Sequence, residues 1–185
     1  MLAAVLFVTH FSAEPLLRRG RAKSLAITRF ESKSTLLVTA LGLASVVGAF
    51  AARVALESGR FTPRPSLVML LGLGMFAGVA LRYWSMLTLG EFFTRTLAIL
   101  PDQHVVSVGP YRVIRHPGYL AQIVVVTTGC ALASLNVWLV ALIGPLLLAV
   151  YAYRIEAEER MLASWFGEAY QGYRARTWRM IPGVY

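Results

Sequence analysis

Residues 109–122 read GPYRVIRHPGYLAQ. Two arginines (Arg112 and Arg115), a histidine (His116) and two prolines (Pro110 and Pro117) stand at the head of a long uncharged run. Pro117 suits the first turn of a helix, where its missing N–H costs nothing. It also holds His116 in extended backbone, so the helix starts abruptly. The first-turn N–H groups of Gly118, Tyr119 and Leu120 would then lack partners, and an open helix N-terminus beside arginine and imidazole suits an anion. A second cluster, RIEAEERML at 154–162, sets Arg154 one turn before Glu158 and Ile155 one turn before Glu159. On an isolated helix such charges make solvated surface pairs of about 0.2–0.5 kcal/mol. Brought to the same face as Arg115 and His116, they supply cations, carboxylates and an imidazole around one helix start. That donor set matches a zwitterionic ligand with a carboxylate, an amine and ribose hydroxyls. Positive-inside anchoring accounts for Arg112 and Arg115, but not for the His-Pro-Gly-Tyr beside them.

The elements that must carry these residues are membrane helices. The chain has 185 residues, 57% hydrophobic and 15% charged, outside the soluble balance. Its formal net charge of +9 would fit a nucleic-acid partner, yet the basic residues sit between apolar blocks and form no stripe interleaved with stacking aromatics. No nucleic acid is therefore expected. One cysteine, Cys130, excludes an intramolecular disulfide or a thiolate zinc cluster, and His10, His104 and His116 lack metal-ligand spacing. No metal is expected either. No basic segment precedes the first apolar stretch, which argues against a cleaved signal peptide.

Charge-free runs place spans at about 35–56, 66–89, 117–133 and 137–153, with a shorter first span at 1–17. The last two share one uncharged stretch from Pro117 to Tyr153, about 55 Å as a single helix. A hydrocarbon core of about 30 Å requires it to turn back, and Ser134-Leu135-Asn136 is the best turn. Arg18, Arg19, Arg21, Lys23, Arg29 and Lys33 crowd the first connection, Arg53, Arg60 and Arg64 lie in the second, and Arg95, Arg112 and Arg115 in the third. The tail carries Arg154, Arg160, Arg174, Arg176 and Arg179. Five spans with the N-terminus outside put the third connection and the tail in the cytoplasm together. The expected architecture is an all-α integral membrane protein. It has about five transmembrane helices, a cytoplasmic cofactor-binding cap from 90–116 and 154–185, and a C-terminal amphipathic helix. Residues 1–185 form one domain, and a prokaryotic plasma membrane is the default location.

Several patterns have plainer readings. Gly72-Leu73-Gly74-Met75-Phe76-Ala77 matches a dinucleotide fingerprint but lies inside a span, without the strand that motif needs. Gly74 and Gly78, and likewise Ala44, Gly48 and Ala52, read as close helix contacts. Arg82 reads as snorkelling to the interface, Cys130 as a small buried residue, and Trp84, Trp138, Trp165 and Trp178 as interfacial anchors. β-Branched residues in 90–116 suggest a hairpin-like flap. Pro145 should kink the last span.

GPYRVIRHPGY at 109–119, Glu158-Glu159 before Leu162, Phe166-Gly167, Tyr170, Tyr173 and Arg179-Met180-Ile181-Pro182 together resemble the isoprenylcysteine carboxyl methyltransferases and their phosphatidylethanolamine N-methyltransferase relatives. The resemblance covers about the last hundred residues, with Ala121 where many relatives have glycine. It implies an S-adenosylmethionine-dependent membrane enzyme with a lipidic or amphipathic methyl acceptor. On that basis His116, Pro117, Tyr119, Leu120, Arg154 and Glu159 are assigned to the cofactor, and Arg115 and Glu158 to catalysis. Arg115 is similar to an arginine facing the acceptor. A carboxylate acceptor needs orientation, which arginine supplies through paired donors. An amine acceptor needs a base, for which Glu158 or His116 would serve. A sterol-reductase-like enzyme using NADPH and a non-enzymatic membrane scaffold are the alternatives.

Overall fold

The computed structural model describes residues 33–55, 64–94, 97–100 and 102–185. The expected first span at 1–17 and nearly all of the first basic connection lie outside the described residues, as do Arg60 and Arg95. Four helices among the described residues are long and apolar enough to cross a membrane. They are α1 (Ser34–Ala55), α2 (Pro65–Leu89), α3 (Pro117–Ser134) and α4 (Trp138–Phe166), followed by a short α5 (Glu168–Arg174). No strand occurs among the described residues, and the fold is that of an all-α integral membrane protein.

Helix α3 is the central element. Within its span 61% of residues are buried, against 6% for α1. Ile123, Val125, Val126 and Cys130 of α3 meet Ala49 of α1, Met75 of α2 and Leu147, Tyr151 and Ile155 of α4 in one core. Leu36, Leu43, Leu73, Phe76 and Leu142 point outward instead, leaving the apolar surface that lipid would cover.

The tightest contact is between α2 and α3. A Cβ on Gly78 would stand 2.9 Å from Val125 Cγ2 and 3.1 Å from Val124 Cγ1. Gly74 lies over Thr128 in the same way, at 3.3 Å. The proposed second small-residue stripe is displaced by one position. Beyond Ser34 at its start, the buried residues of α1 are Ser45 and Ala49, while a Cβ on Gly48 would meet nothing within 4 Å among the described residues.

Helix α3 ends at Leu135 in left-handed backbone, and the Asn136 side chain accepts from Trp138 N–H at 3.0 Å to start α4. Helix α4 runs on through Pro145 and past Tyr153 to Phe166. Its length, about 43 Å, exceeds a hydrocarbon core of about 30 Å, so its final turns project beyond it. Gly167, at φ 54°, breaks α4 from α5 in backbone that suits only glycine.

Among the described residues, the connection between α2 and α3 forms no hairpin. It has 3-10 turns at Gly90–Phe92 and Gly109–Arg112, and its extended residues pair with the tail rather than with each other. Trp178 N–H donates to Val113 O at 3.0 Å, Arg115 N–H to Trp178 O at 2.7 Å, and His116 N–H to Arg179 O at 3.0 Å. The backbone groups of the extended segment thus find their partners more than sixty residues away. Leu97 and Ala98 are buried, and Leu97 packs on Ala157 and Met161 of α4.

The contrast between the two glycines is testable. Gly78→Leu should destabilise the detergent-solubilised protein by about 1–3 kcal/mol through overpacking. Gly48→Ala should stay within about 1 kcal/mol of wild type, on the stabilising side, because glycine weakens a helix interior. Thermal midpoints of the two variants check both statements.

Candidate active site at the head of α3

Glu159 sits in the extension of α4 with only 3% of its surface exposed. Its Oε1 accepts from Arg115 Nε at 2.8 Å, and its Oε2 from Arg179 Nε at 3.1 Å and Nη2 at 3.0 Å. Arg174 Nη2 stands further off at 3.8 Å. Arg115 Nη1 is directed at the tail, to Arg174 O at 3.1 Å, Thr177 Oγ1 at 3.3 Å and Thr177 O. Arg179 also reaches Tyr185 OH at 3.1 Å and lies over that ring. Burial works against the Arg179 charge, but the Glu159 carboxylate and Tyr185 together outweigh it and hold the guanidinium above its ordinary pKa. Met180, 1% exposed, anchors the tail in the core.

A second chain of contacts fixes the His116 ring. Arg154, 4% exposed, donates to Ser34 Oγ at 3.1 Å, Thr35 Oγ1 at 2.7 Å and Tyr119 OH at 2.8 Å. Tyr119 stacks on His116 with ring centroids 5.5 Å apart and planes 1° from parallel. His116 Nδ1 approaches Glu158 Oε2 at 3.5 Å and its Nε2 approaches Glu159 Oε1 at 3.4 Å. Neither His116 Nε2 nor Glu158 Oε2 has a hydrogen-bond partner among the described residues, and both atoms are buried.

These residues border a cavity of about 120 Å³ between the ends of α2 and α4, the head of α3 and the 97–106 segment. On that measure a single water needs about 10–15 Å³, so the space suits a ligand group rather than one trapped water. Arg115, His116, Tyr119 and Glu158 line it, joined by Arg82, Tyr111 and Tyr170. Pro117, Leu120, Arg154 and Glu159 do not. Pro117 is buried as the first residue of α3, and Arg154 lies behind Tyr119. Glu159 belongs to the tail clasp.

The open helix N-terminus also needs correction. His116 O already accepts from the N–H groups of Tyr119, at 3.1 Å, and Leu120, at 3.2 Å. Arg82 does not snorkel. It is 9% exposed, donates to Gly118 O at 3.1 Å and lies 5.2 Å from the Phe93 ring centroid. Its spacing from Gly74 and Gly78 was the available signal, since all three share the α2 face that meets α3. Tyr170 stood in the sequence pattern without a role.

Fold and site together define a polytopic helical membrane protein with an arginine-, histidine- and carboxylate-lined cavity at one end of its helices. The family model for isoprenylcysteine carboxyl methyltransferases matches residues 69–164, more than half of the sequence, and the chain belongs to that family. A protein-S-isoprenylcysteine O-methyltransferase of Dictyostelium discoideum is 33% identical over 113 residues, 60% of this chain and 47% of that protein. The chain thus spans about half the length of this curated relative. The fold is similar to the structure of the eukaryotic intramembrane Ras methyltransferase ICMT solved without a monobody, at a TM-score of 0.65 and 22% identity. That match covers 98% of this chain and 64% of the other.

The clasp predicts an asymmetry. Glu159→Ala leaves the buried Arg115 guanidinium without its carboxylate and should cost about 3–5 kcal/mol of stability. Arg174, at 43% side-chain exposure, sits at the margin, and Arg174→Ala should change stability by less than about 1 kcal/mol. Denaturation of the two variants in the same detergent checks this.

Proposed function

We propose that this chain transfers a methyl group from S-adenosylmethionine to the carboxylate of a small amphipathic or lipidic acceptor of isoprenylcysteine type. The observation that carries the reading is one cavity bordered by His116 and Glu158, whose Nε2 and Oε2 lack a hydrogen-bond partner among the described residues, and by the guanidinium of buried Arg82. These residues fit the adenosyl cofactor. Glu158 can accept from its ammonium or hydroxyl groups, His116 offers a second polar contact, and Leu97, Met161, Leu162 and Phe166 give an apolar wall for the purine. When bound, the cofactor's sulfonium supplies an electrophilic methyl group. The activities for which the two relatives are named, O-methylation of isoprenylcysteine and methylation of Ras, agree with this acceptor class.

The chain's own contribution is positioning, which supplies much of the rate in an in-line displacement. A carboxylate acceptor is already nucleophilic and needs no base. We assign its orientation to Arg82, because Arg115 commits Nε to Glu159 and Nη1 to the tail and so has no free pair of parallel donors. Arg115 is then a positioning residue, holding the backbone that carries His116. Glu158 would serve as base only if the acceptor were a phospholipid amine. A water-soluble cofactor supports a cytoplasmic cavity and tail, in line with the placement of the basic residues. In the Cys130→Ala background, Asn136→Cys should then label only from the opposite side.

Calorimetry gives the first check: adenosylhomocysteine should bind and NADPH should not. Arg82→Lys should lower turnover of a prenylcysteine carboxylate by roughly tenfold or more, because lysine keeps the charge and loses the planar fork. Cofactor affinity should stay close to wild type. The rate should level off above the acceptor's carboxyl pKa. A rate that climbs through neutral pH to a basic plateau would instead identify an amine acceptor.

A further inference from the structure

Four tyrosines border the cavity: Tyr111, Tyr119, Tyr170 and Tyr173. The Tyr173 hydroxyl donates to Tyr111 O at 2.8 Å, and the Tyr119 hydroxyl accepts from Arg154 at 2.8 Å. Tyr170 differs from both. It is 2% exposed, and its hydroxyl has no hydrogen-bond partner among the described residues. A buried hydroxyl left unmade costs about 1–3 kcal/mol, and folded proteins retain few such groups.

Its proton is secure. Burial, reinforced by the Glu159 and Glu158 carboxylates, pushes the phenol far above its ordinary pKa, so Tyr170 can serve as a donor. Glu158 Oε2, on the same cavity wall, is an acceptor without a hydrogen bond. The two atoms do not satisfy each other, so a donor and an acceptor are both left over. A ligand that presents an acceptor oxygen together with a donor would satisfy both. The polar end of an adenosyl amino acid does so through its carboxylate and ammonium, and its ribose does so through vicinal hydroxyls.

We propose that Tyr170 is a ligand-binding residue whose hydroxyl donates to an acceptor oxygen of the adenosyl cofactor, while Glu158 takes a donor of the same molecule. The assignment rests on the adenosyl reading of the cavity. It reaches beyond the family match, which ends at residue 164.

The test is Tyr170→Phe in the intact protein, with two readouts. By calorimetry, adenosylhomocysteine affinity should fall by roughly tenfold. The thermal midpoint of the ligand-free variant should equal or exceed that of wild type, because the substitution removes an unsatisfied polar atom and keeps the ring. Methylthioadenosine, which keeps the ribose but lacks the amino-acid end, tells the two acceptor sources apart. A loss confined to adenosylhomocysteine assigns the carboxylate, and an equal loss for both assigns a ribose oxygen. Unchanged adenosylhomocysteine affinity would overturn the proposal. So would a midpoint several degrees lower without ligand, since the hydroxyl would then have a partner inside the protein. Failure of the wild type to bind adenosylhomocysteine would overturn the adenosyl reading itself, and this shows before any variant is compared.

Discussion

A carboxylate buried at the end of a membrane helix must be surrounded by donors, and Glu159 finds them on two segments distant in sequence. Arg115 comes from the approach to α3 and Arg179 from the tail. Satisfying Glu159 therefore folds the tail back across the head of α3. Such a pair adds little net stability over an apolar substitute, because desolvation offsets most of the attraction. Its effect is on specificity: an arrangement that lacked either arginine would bury an under-compensated charge. The rest of the tail conforms to this geometry. Thr177 and Arg174 offer oxygens to Arg115, Met180 enters the core, and Met180 and Ile181 N–H groups donate to Tyr185 O.

His116 is held from two independent sides. Its backbone N–H is bound by Arg179 O in the tail. Its ring is stacked on Tyr119, which Arg154 ties to Ser34 and Thr35 at the start of α1. The bonds that set both restraints come from the tail and from Arg154, neither of which occupies the cavity, and the imidazole and Glu158 stay on its wall. A group fixed by neighbours that do no chemistry themselves is preorganised, and a positioning reaction depends on this. Arg154 and Glu159 therefore matter to the site without bordering its cavity.

Helices were legible from the sequence wherever chemistry enforced them. Charge-free runs mark α1 to α4, Pro117 marks the start of α3, and the Gly74/Gly78 pair marks the closest helix contact. The Ala44/Gly48/Ala52 reading failed for a physical reason. Helix α1 is apolar on all faces, and lipid tails are as apolar as a neighbouring helix, so hydropathy does not say which face packs. The flap reading failed because β-branched residues indicate extended backbone without saying which segment pairs with it. Here the partner is the tail.

The site was legible as a cluster and illegible in its division of labour. Glu158 and Glu159 are neighbours in sequence with the same chemistry, and residue type alone does not say which of them faces the cavity. Consecutive residues on an α-helix point about 100° apart, since 3.6 residues complete a turn. Once one of them faces the arginine clasp, the other must face elsewhere. Glu159 turned to Arg115 and Arg179 sets Glu158 toward His116 and the cavity. The same geometry explains Arg115 and Arg82. An arginine beside a buried glutamate is drawn into that pair, whatever else its position suggests. Arg82, one turn beyond Gly78 on the α2 face against α3, is carried by helix packing to the cavity wall instead. Residue types announced which groups would gather here, but the helical period and one buried carboxylate decided which of them border the cavity.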